Sequence, residues 1–386
     1  MREHRFSIFM GSLLLISFSL FACSSHNDTG AELNPNSSEA QLDYIKLPPG
    51  FSISLFADNV QNARQMSLAP GGVVFVGTMS AGNVYAVIYD STTYKANRIL
   101  KIANGLSMPN GVAYHNSDLY VAEVNRIIRY DDILNHLENP PSPKIINDQY
   151  PSDAHHGAKY IKFGPDGKLY VPEGVPCNIC KPGKKIYGTI TRMNPDGSNM
   201  EIIEYGIRNT VGFDWNPHTN VLWFTDNGRD LLGDNSPPDE LNRAPEIGLH
   251  FGYPYLHGKG TWDPQYGEEG KKMNITFTTP VQELGPHVAS LGMLFYTGNM
   301  FPDQYKNNIF IAEHGSWNRS EKIGYRVTMV KLNGSEATSY KPFAKGWLQP
   351  GGAVMGRPVA LLQLPDGSLL ISDDYAGRIY RITYSD

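Results

Sequence analysis

Short apolar runs alternate with polar turns along most of this chain, and the unit comes round six times. The runs are VVFVGT (73–78), DLYVAE (118–123), KLYVPE (168–173), VLWFTD (221–226), NIFIAE (308–313) and SLLISD (368–373). Each ends on an acidic or polar residue beside a turn. Most are followed by a second run of the same kind, as in NVYAVIYD (83–90), RIIRYDD (126–132), TITRMNPDG (189–197), YRVTMVKLNG (325–334) and RIYRITY (378–384). Runs this short, rich in β-branched and aromatic residues, predict strands. Pro-Asp-Gly triplets at 165–167, 195–197 and 365–367 mark turns between them. A repeat of strand units separated by turns predicts an all-β fold, a six-bladed β-propeller. In such a ring the last strand, 378–384, shares a blade with the early strand 52–57, which removes a free sheet edge. The polar, aromatic stretch 227–275 has little periodicity and reads as a loop excursion over the mouth of the channel. Only short helical turns are expected, for example at 131–135.

Length and composition add bounds. The 386 residues would allow two or three domains, but the repeat assigns 44–386 to one propeller. With 41% hydrophobic residues and a formal charge of −5, the chain has ample core and no basic face for nucleic acid. The N-terminus reads as a targeting segment, 1–22. Arg2 and Arg5 precede an apolar stretch from Ile8 to Phe21, too short for a comfortable transmembrane helix. Leu20-Phe21-Ala22-Cys23 resembles a bacterial lipobox, so Cys23 is the expected lipidation site, with Phe21 bulkier than usual there. A plain signal peptide cut nearby is the other reading. Residues 23–43 form a solvated tether. The expected location is the periplasmic face of a bacterial outer membrane, reached through the lipid anchor alone. Cys177 and Cys180 then remain as a C-x-x-C pair, half of a zinc site, so a local disulfide is expected in an oxidising compartment.

Five clusters could carry chemistry. His155-His156-Gly157 precedes a strand, and a neutral imidazole at a channel mouth can serve as a general base; an ordinary loop histidine would look the same. Tyr205-Gly206-Ile207-Arg208-Asn209 offers a guanidinium fork and an amide, which also suit a purely structural bridge between blades. Asp226-Asn227-Gly228-Arg229-Asp230 is an acidic, Gly-containing loop of the kind that either binds calcium or is simply solvated. Glu313 to Arg319 and Gly356-Arg357-Pro358 add cationic groups for an anionic ligand. No Gly-rich dinucleotide motif, Walker loop or nucleophile elbow is present.

The segments LPPGF, ARQMSLAPGG, GLSMPNGVAYHNSDLYVAE, HHGAKYIKFGPDGKLYVPEG, CNIC, YGIRNTVGFDWNP, TDNGRD, DELN, FGYPY, HVASLGMLFYTG, IAEHGSWNRS, GYRV and GRPVALLQLPDGSLLISDD resemble, in order, those of sorbosone dehydrogenase-like proteins. These belong to the soluble quinoprotein sugar dehydrogenases. The resemblance covers about 44–385. It implies a propeller that oxidises a sugar or sugar-derived aldehyde with pyrroloquinoline quinone (PQQ) and calcium, passing electrons to an acceptor the sequence does not name. It also implies roles: His156, with His155 the alternative, as proton acceptor; Arg208 orienting substrate and binding the cofactor; Asn209, Arg319 and Arg357 on the cofactor. Backbone carbonyls of Gly228 and Arg229 would hold calcium. Two positions depart from the glucose dehydrogenase branch. A cofactor-touching glutamine there corresponds to Pro109, leaving the adjacent Asn110 as the cofactor candidate. An Asp that supports the catalytic histidine there falls near Val175, so the tautomer of His156 lacks an evident orienter. A ligand-binding propeller without catalysis and a calcium-dependent lactonase-type propeller are the alternative readings. The lactonase reading needs Glu, Asn and Asp side chains on one metal.

Overall fold

The computed structural model describes residues 42–385. Cys23, the targeting segment and most of the tether lie outside them. Six four-stranded antiparallel sheets follow one another in chain order. The first is built of Ala63–Ala69, Val73–Thr78, Val84–Tyr89 and Ala96–Ala103, and each later blade repeats that order from channel to rim. The six apolar runs of the repeat are the second strands. The sixth blade takes its outer strand from the other end of the chain: Phe51–Ala57 pairs antiparallel with Arg378–Tyr384. The ring is therefore closed by hydrogen bonds between the two ends of the described chain.

The runs alternate poorly in hydrophobicity because both faces of an inner strand are covered. Val73–Thr78 is buried at every position, as is Ile309–Glu313. Six apolar clusters fill the six gaps between neighbouring blades. Phe75, Val84 and Leu100 meet Val112, Leu119 and Ile128 across one gap. Phe213, Leu222 and Phe224 meet Tyr170, Ile190 and Ile203 across another. The turn glycines Gly167, Gly197 and Gly367 have φ of 73, 84 and 87°, the left-handed region that glycine adopts at no steric cost.

The stretch 227–275 departs from the loop expected of it. It contains Pro238–Ala244, the third strand of the fourth blade, paired with Leu222–Asp226. Its composition hid it: PDELNRA carries mostly polar side chains, yet five of its seven residues are buried. Asp239 and Glu240 there accept backbone N–H groups, and Asn242 donates its amide to Glu240 at 3.0 Å. The rest of the stretch is an insertion with a hairpin, Leu256–His257 with Thr261–Trp262, and one helical turn, Gly267–Gly270. The short turn near 131–135 is a 3₁₀ turn at Ile133–His136.

Ring closure rests on Phe51, whose ring makes edge contacts with Phe301, Tyr305, Phe343 and Tyr384 at 4.8 to 5.0 Å between centroids. Phe51→Ala is expected to cost about 2–3 kcal/mol of stability, since the ring is only partly buried. The check is the denaturant midpoint, which should fall without loss of β-sheet circular dichroism in the folded baseline.

Candidate functional site

The second strands all end in buried polar residues at one end of the ring: Thr78, Glu123, Glu173, Asp226, Glu313 and Asp373. Three of these accept backbone N–H groups from the loop that enters the same blade. Asp226 takes Arg208 N at 2.9 Å and Asn209 N at 2.6 Å. Asp373 takes Arg357 N at 2.9 Å, and Glu123 takes Ser107 N at 2.8 Å. Asp239, one strand further out, takes Gly228 N and Ser290 N, each at 2.9 Å. The loops bearing the chemical side chains are thus pinned from below by carboxylates.

These loops surround a cavity of about 330 Å³ whose wall includes Arg64, His156, Arg208, Asn209, Gly228, Asp230, His287, His314, Trp317 and Asn318. Four of the positions expected from sequence meet there: His156, Arg208, Asn209 and Gly228. His155 is exposed, with its ring centroid 4.1 Å from that of His156.

His156 has φ 55°, so its backbone is left-handed. Gly174 makes the fit possible: a Cβ there would lie 2.6 Å from His156 Cβ. Nδ1 of His156 is 2.8 Å from the carbonyl oxygen of Val175. A carbonyl only accepts, so Nδ1 carries the proton and Nε2 keeps its lone pair. The residue that replaces the expected carboxylate orienter therefore supplies it from its backbone. Burial, then the charge of Arg208 and the neighbouring His155, lower the His156 pKa to about 2, so the ring is neutral.

Arg208 is buried and held on several sides. Nε donates to Asn178 O and Nη2 to Asn178 Oδ1, both at 2.9 Å. Nη1 reaches Asn227 O and Nη2 reaches Asp230 Oδ2, both at 3.2 Å. Asp230 also receives Asn318 Nδ2 at 2.8 Å. That bond fixes the amide orientation of Asn318 and leaves its buried Oδ1 without a partner. Beside Asn318, Trp317 is 73% exposed at the cavity rim.

Sequence reasoning missed Arg64, although it stands in the ARQM segment. Its guanidinium donates to Asp374 at 2.8 Å and to Asn110 Oδ1 at 2.6 Å. Asp374 also bonds His314 Nε2 at 2.8 Å. The strand Ala63–Ala69 hides Arg64 among apolar neighbours, so only the closed ring reveals it as a channel residue. Asn110, expected on the cofactor, stands behind Arg64 and binds Lys159 O with its own amide.

The two outer arginines do not line the cavity. Arg319 donates to Asp234 O and to Glu321 O. Arg357 holds the turn beneath His314, donating to His314 O at 3.1 Å and Gly315 O at 2.9 Å. Arg229 turns its side chain into a buried ion pair with Asp263, at 2.6 Å. No hydrogen bond among the described residues uses the carbonyl oxygens of Gly228 or Arg229. Nor do three His, Cys, Asp or Glu side chains among them assemble as a metal site. Any cation here would rely on backbone carbonyls and on oxygens of a ligand. Cys177 and Cys180 are joined as a disulfide.

Residues 121–318 match the Glucose / Sorbosone dehydrogenase family, and residues 261–385 match the TrAA12-like family. An uncharacterized protein of Borreliella burgdorferi is 36% identical over 355 residues, 88% of this chain and 91% of that protein. A pyrroloquinoline quinone-dependent pyranose dehydrogenase of Coprinopsis cinerea is 25% identical over 232 residues, 47% of this chain and 31% of that enzyme. The matched region is thus under a third of that enzyme's length. The solved holo form of its PQQ domain superposes with a TM-score of 0.74 at 18% identity, over 88% of this chain and 97% of that one.

Asp239 gives this arrangement a pH signature. Burial, only partly offset by the Ser290 and Gly228 amides, raises its pKa to about 7. Between about pH 4, where the unfolded carboxyl titrates, and pH 7 the folded protein holds a proton that the unfolded chain releases. Its contribution to stability therefore falls as pH rises through that window. Histidines with lowered pKa, such as His156 and His250, act in the opposite sense. Comparing wild type with Asp239→Asn isolates the carboxyl. The stability difference between them should shrink steadily from pH 4 to pH 7 in denaturant titrations.

Proposed function

The chain belongs to the glucose/sorbosone dehydrogenase family, and from that premise we propose that it is a PQQ- and calcium-dependent oxidoreductase acting on a sugar or sugar-derived aldehyde. The observation that carries the reading is one cavity wall joining a neutral His156, its proton fixed on Nδ1, to the buried guanidiniums of Arg208 and Arg64. His156 Nε2 accepts a hydroxyl proton, and the Val175 carbonyl steadies the imidazolium that forms. Arg208 and Arg64 offer N–H groups to anionic oxygens, in a setting that excludes much of the water.

The cofactor fits this wall under one condition. PQQ carries three carboxylates, whereas Arg208 and Arg64 already face Asp230 and Asp374. A further positive charge is needed, and the free carbonyls of Gly228 and Arg229 are suited to hold calcium beside the ligand. When bound, the quinone would supply the electrophile that takes up the hydride. His156 gains basicity as negative charge enters near Arg208, because that guanidinium is the largest cause of its weakness after burial. Trp317 at the rim and the unpaired Asn318 Oδ1 suit a ring with an apolar C–H face and hydroxyl donors, which is how a sugar presents itself.

Export is part of the proposal. Arg2, Arg5, the apolar stretch to Phe21 and Cys23 support a lipid anchor at the outer membrane, facing the periplasm. A disulfide at Cys177–Cys180 agrees with an oxidising compartment.

The test is reconstitution with PQQ and calcium, followed by sugar-dependent bleaching of the bound quinone. His156→Ala should keep the quinone spectrum and lose on the order of 10²-fold or more in reduction rate. Arg64→Ala should weaken quinone binding itself. Reconstituted protein whose quinone no aldose or sugar aldehyde reduces would defeat the dehydrogenase reading and favour a ligand-binding propeller. Calcium gives a separate check. Removing it with a chelator should weaken quinone binding by about tenfold or more, read by equilibrium absorbance titration.

A further inference from the structure

Of the contacts that fix Arg208, Asn178 supplies two. Its main-chain oxygen takes Nε and its side-chain Oδ1 takes Nη2, each at 2.9 Å. A planar guanidinium held at Nε and Nη2 by a single residue cannot rotate about its own axis without breaking both bonds. Asn178 is itself tied to the wall of the cavity. Oδ1 accepts Asp230 N at 2.8 Å, and Nδ2 donates to Asp230 O at 3.2 Å. The same Asp230 bonds Arg208 and Asn318 through its carboxylate.

Asn178 lies within a four-residue segment closed by the Cys177–Cys180 disulfide. That loop is docked on the blade-four insertion, where Cys180 N donates to the Tyr253 hydroxyl at 2.9 Å. Nothing else in the third blade approaches the guanidinium of Arg208 among the described hydrogen bonds. The C-x-x-C pair, which plays no part in the proton transfer, thereby acquires a purpose.

We propose that Asn178, fixed by the Cys177–Cys180 disulfide, is the positioning residue that sets where Arg208 presents its remaining Nη1–H to the cavity. The proposal rests on the dehydrogenase reading for its functional meaning, but its geometry is testable without the cofactor. Asn178→Ala removes Oδ1 and keeps the loop closed. Asn178→Asp keeps the Oδ1 acceptor. The Cys177→Ser/Cys180→Ser variant keeps Asn178 and opens the loop.

The experiment is reaction of the folded, unloaded protein with phenylglyoxal, with the extent of modification at Arg208 read by peptide mass spectrometry. Arg208 should react at least about tenfold faster in Asn178→Ala and in the serine variant than in wild type or in Asn178→Asp. In parallel, the loaded protein is assayed: Asn178→Ala should bind quinone about tenfold more weakly, with Asn178→Asp restoring most of the loss. If Arg208 is equally protected in all four proteins, the positioning role is wrong, whatever the cofactor result. If Arg208 is released as expected but wild type binds no quinone, the positioning role stands and the dehydrogenase reading fails. Should Asn178→Ala not fold, the serine variant alone decides, since it alters no contact of Arg208 directly.

Discussion

Buried carboxylates that accept backbone N–H groups are the constraint from which the rest of this structure follows. A propeller loop that turns into the channel leaves its backbone donors where no neighbouring strand can reach them. Asp226, Asp239, Asp373 and Glu123 answer that need, and each is at most 5% exposed. A carboxylate bound to two amides is a strong, directional clamp, whereas an orphaned buried amide costs about 1–3 kcal/mol. Because Asp226 grips the backbone of both Arg208 and Asn209, the ladder of one blade sets the position of two cavity residues. Asp239 links Gly228 in the fourth blade to Ser290 in the fifth, so it ties two blades together as well as one loop.

The same clamps shape the electrostatics. Burial pushes the carboxyls of Asp226 and its neighbour Glu240 above their usual range, and Asp239 with them. Arg208 stands close to this group and to Asp230. Its charge is therefore largely answered by the protein before any ligand arrives. Arg64 is matched in the same way by Asp374, which His314 shares. The cavity is better described as a set of balanced pairs than as a basic pocket. An anion entering it must rearrange those pairs or bring a cation with it, and that is the physical reason for tying the cofactor to calcium.

Much of this was legible in the chain. The terminal Thr, Glu and Asp of the six runs marked the strand ends, and the repeat gave the blade number because each run is a complete second strand. His156 and Arg208 stood out because both sit just before strands that open a blade. What escaped notice has a common cause. Arg64 and Asn178 act through partners 310 and 52 residues away in sequence. Such pairings exist only once separate blades have packed together. Pro238–Ala244 escaped for a related reason: its buried positions are largely polar, with Asp239 and Glu240 bonded to backbone N–H groups, so no apolar period betrays the strand. Arg319 and Arg357 were expected on the cofactor by position in their motifs, but local carbonyls already claim their guanidiniums. Val175 shows the reverse case, where a lost side chain is replaced by a backbone oxygen that no sequence comparison displays.

The most direct measurement of the account is amide hydrogen exchange, resolved to the residue, on the wild-type protein. The N–H groups of Ser107, Arg208, Asn209, Gly228, Ser290 and Arg357 should be protected to the level of the blade strands, although all but Ser290 lie outside them. Replacing Asp226 by Ala should then release Arg208 and Asn209 while leaving Gly228 and Ser290 slow. If these amides exchange in wild type as fast as those of open surface loops, the carboxylates do not hold the site together and the account fails.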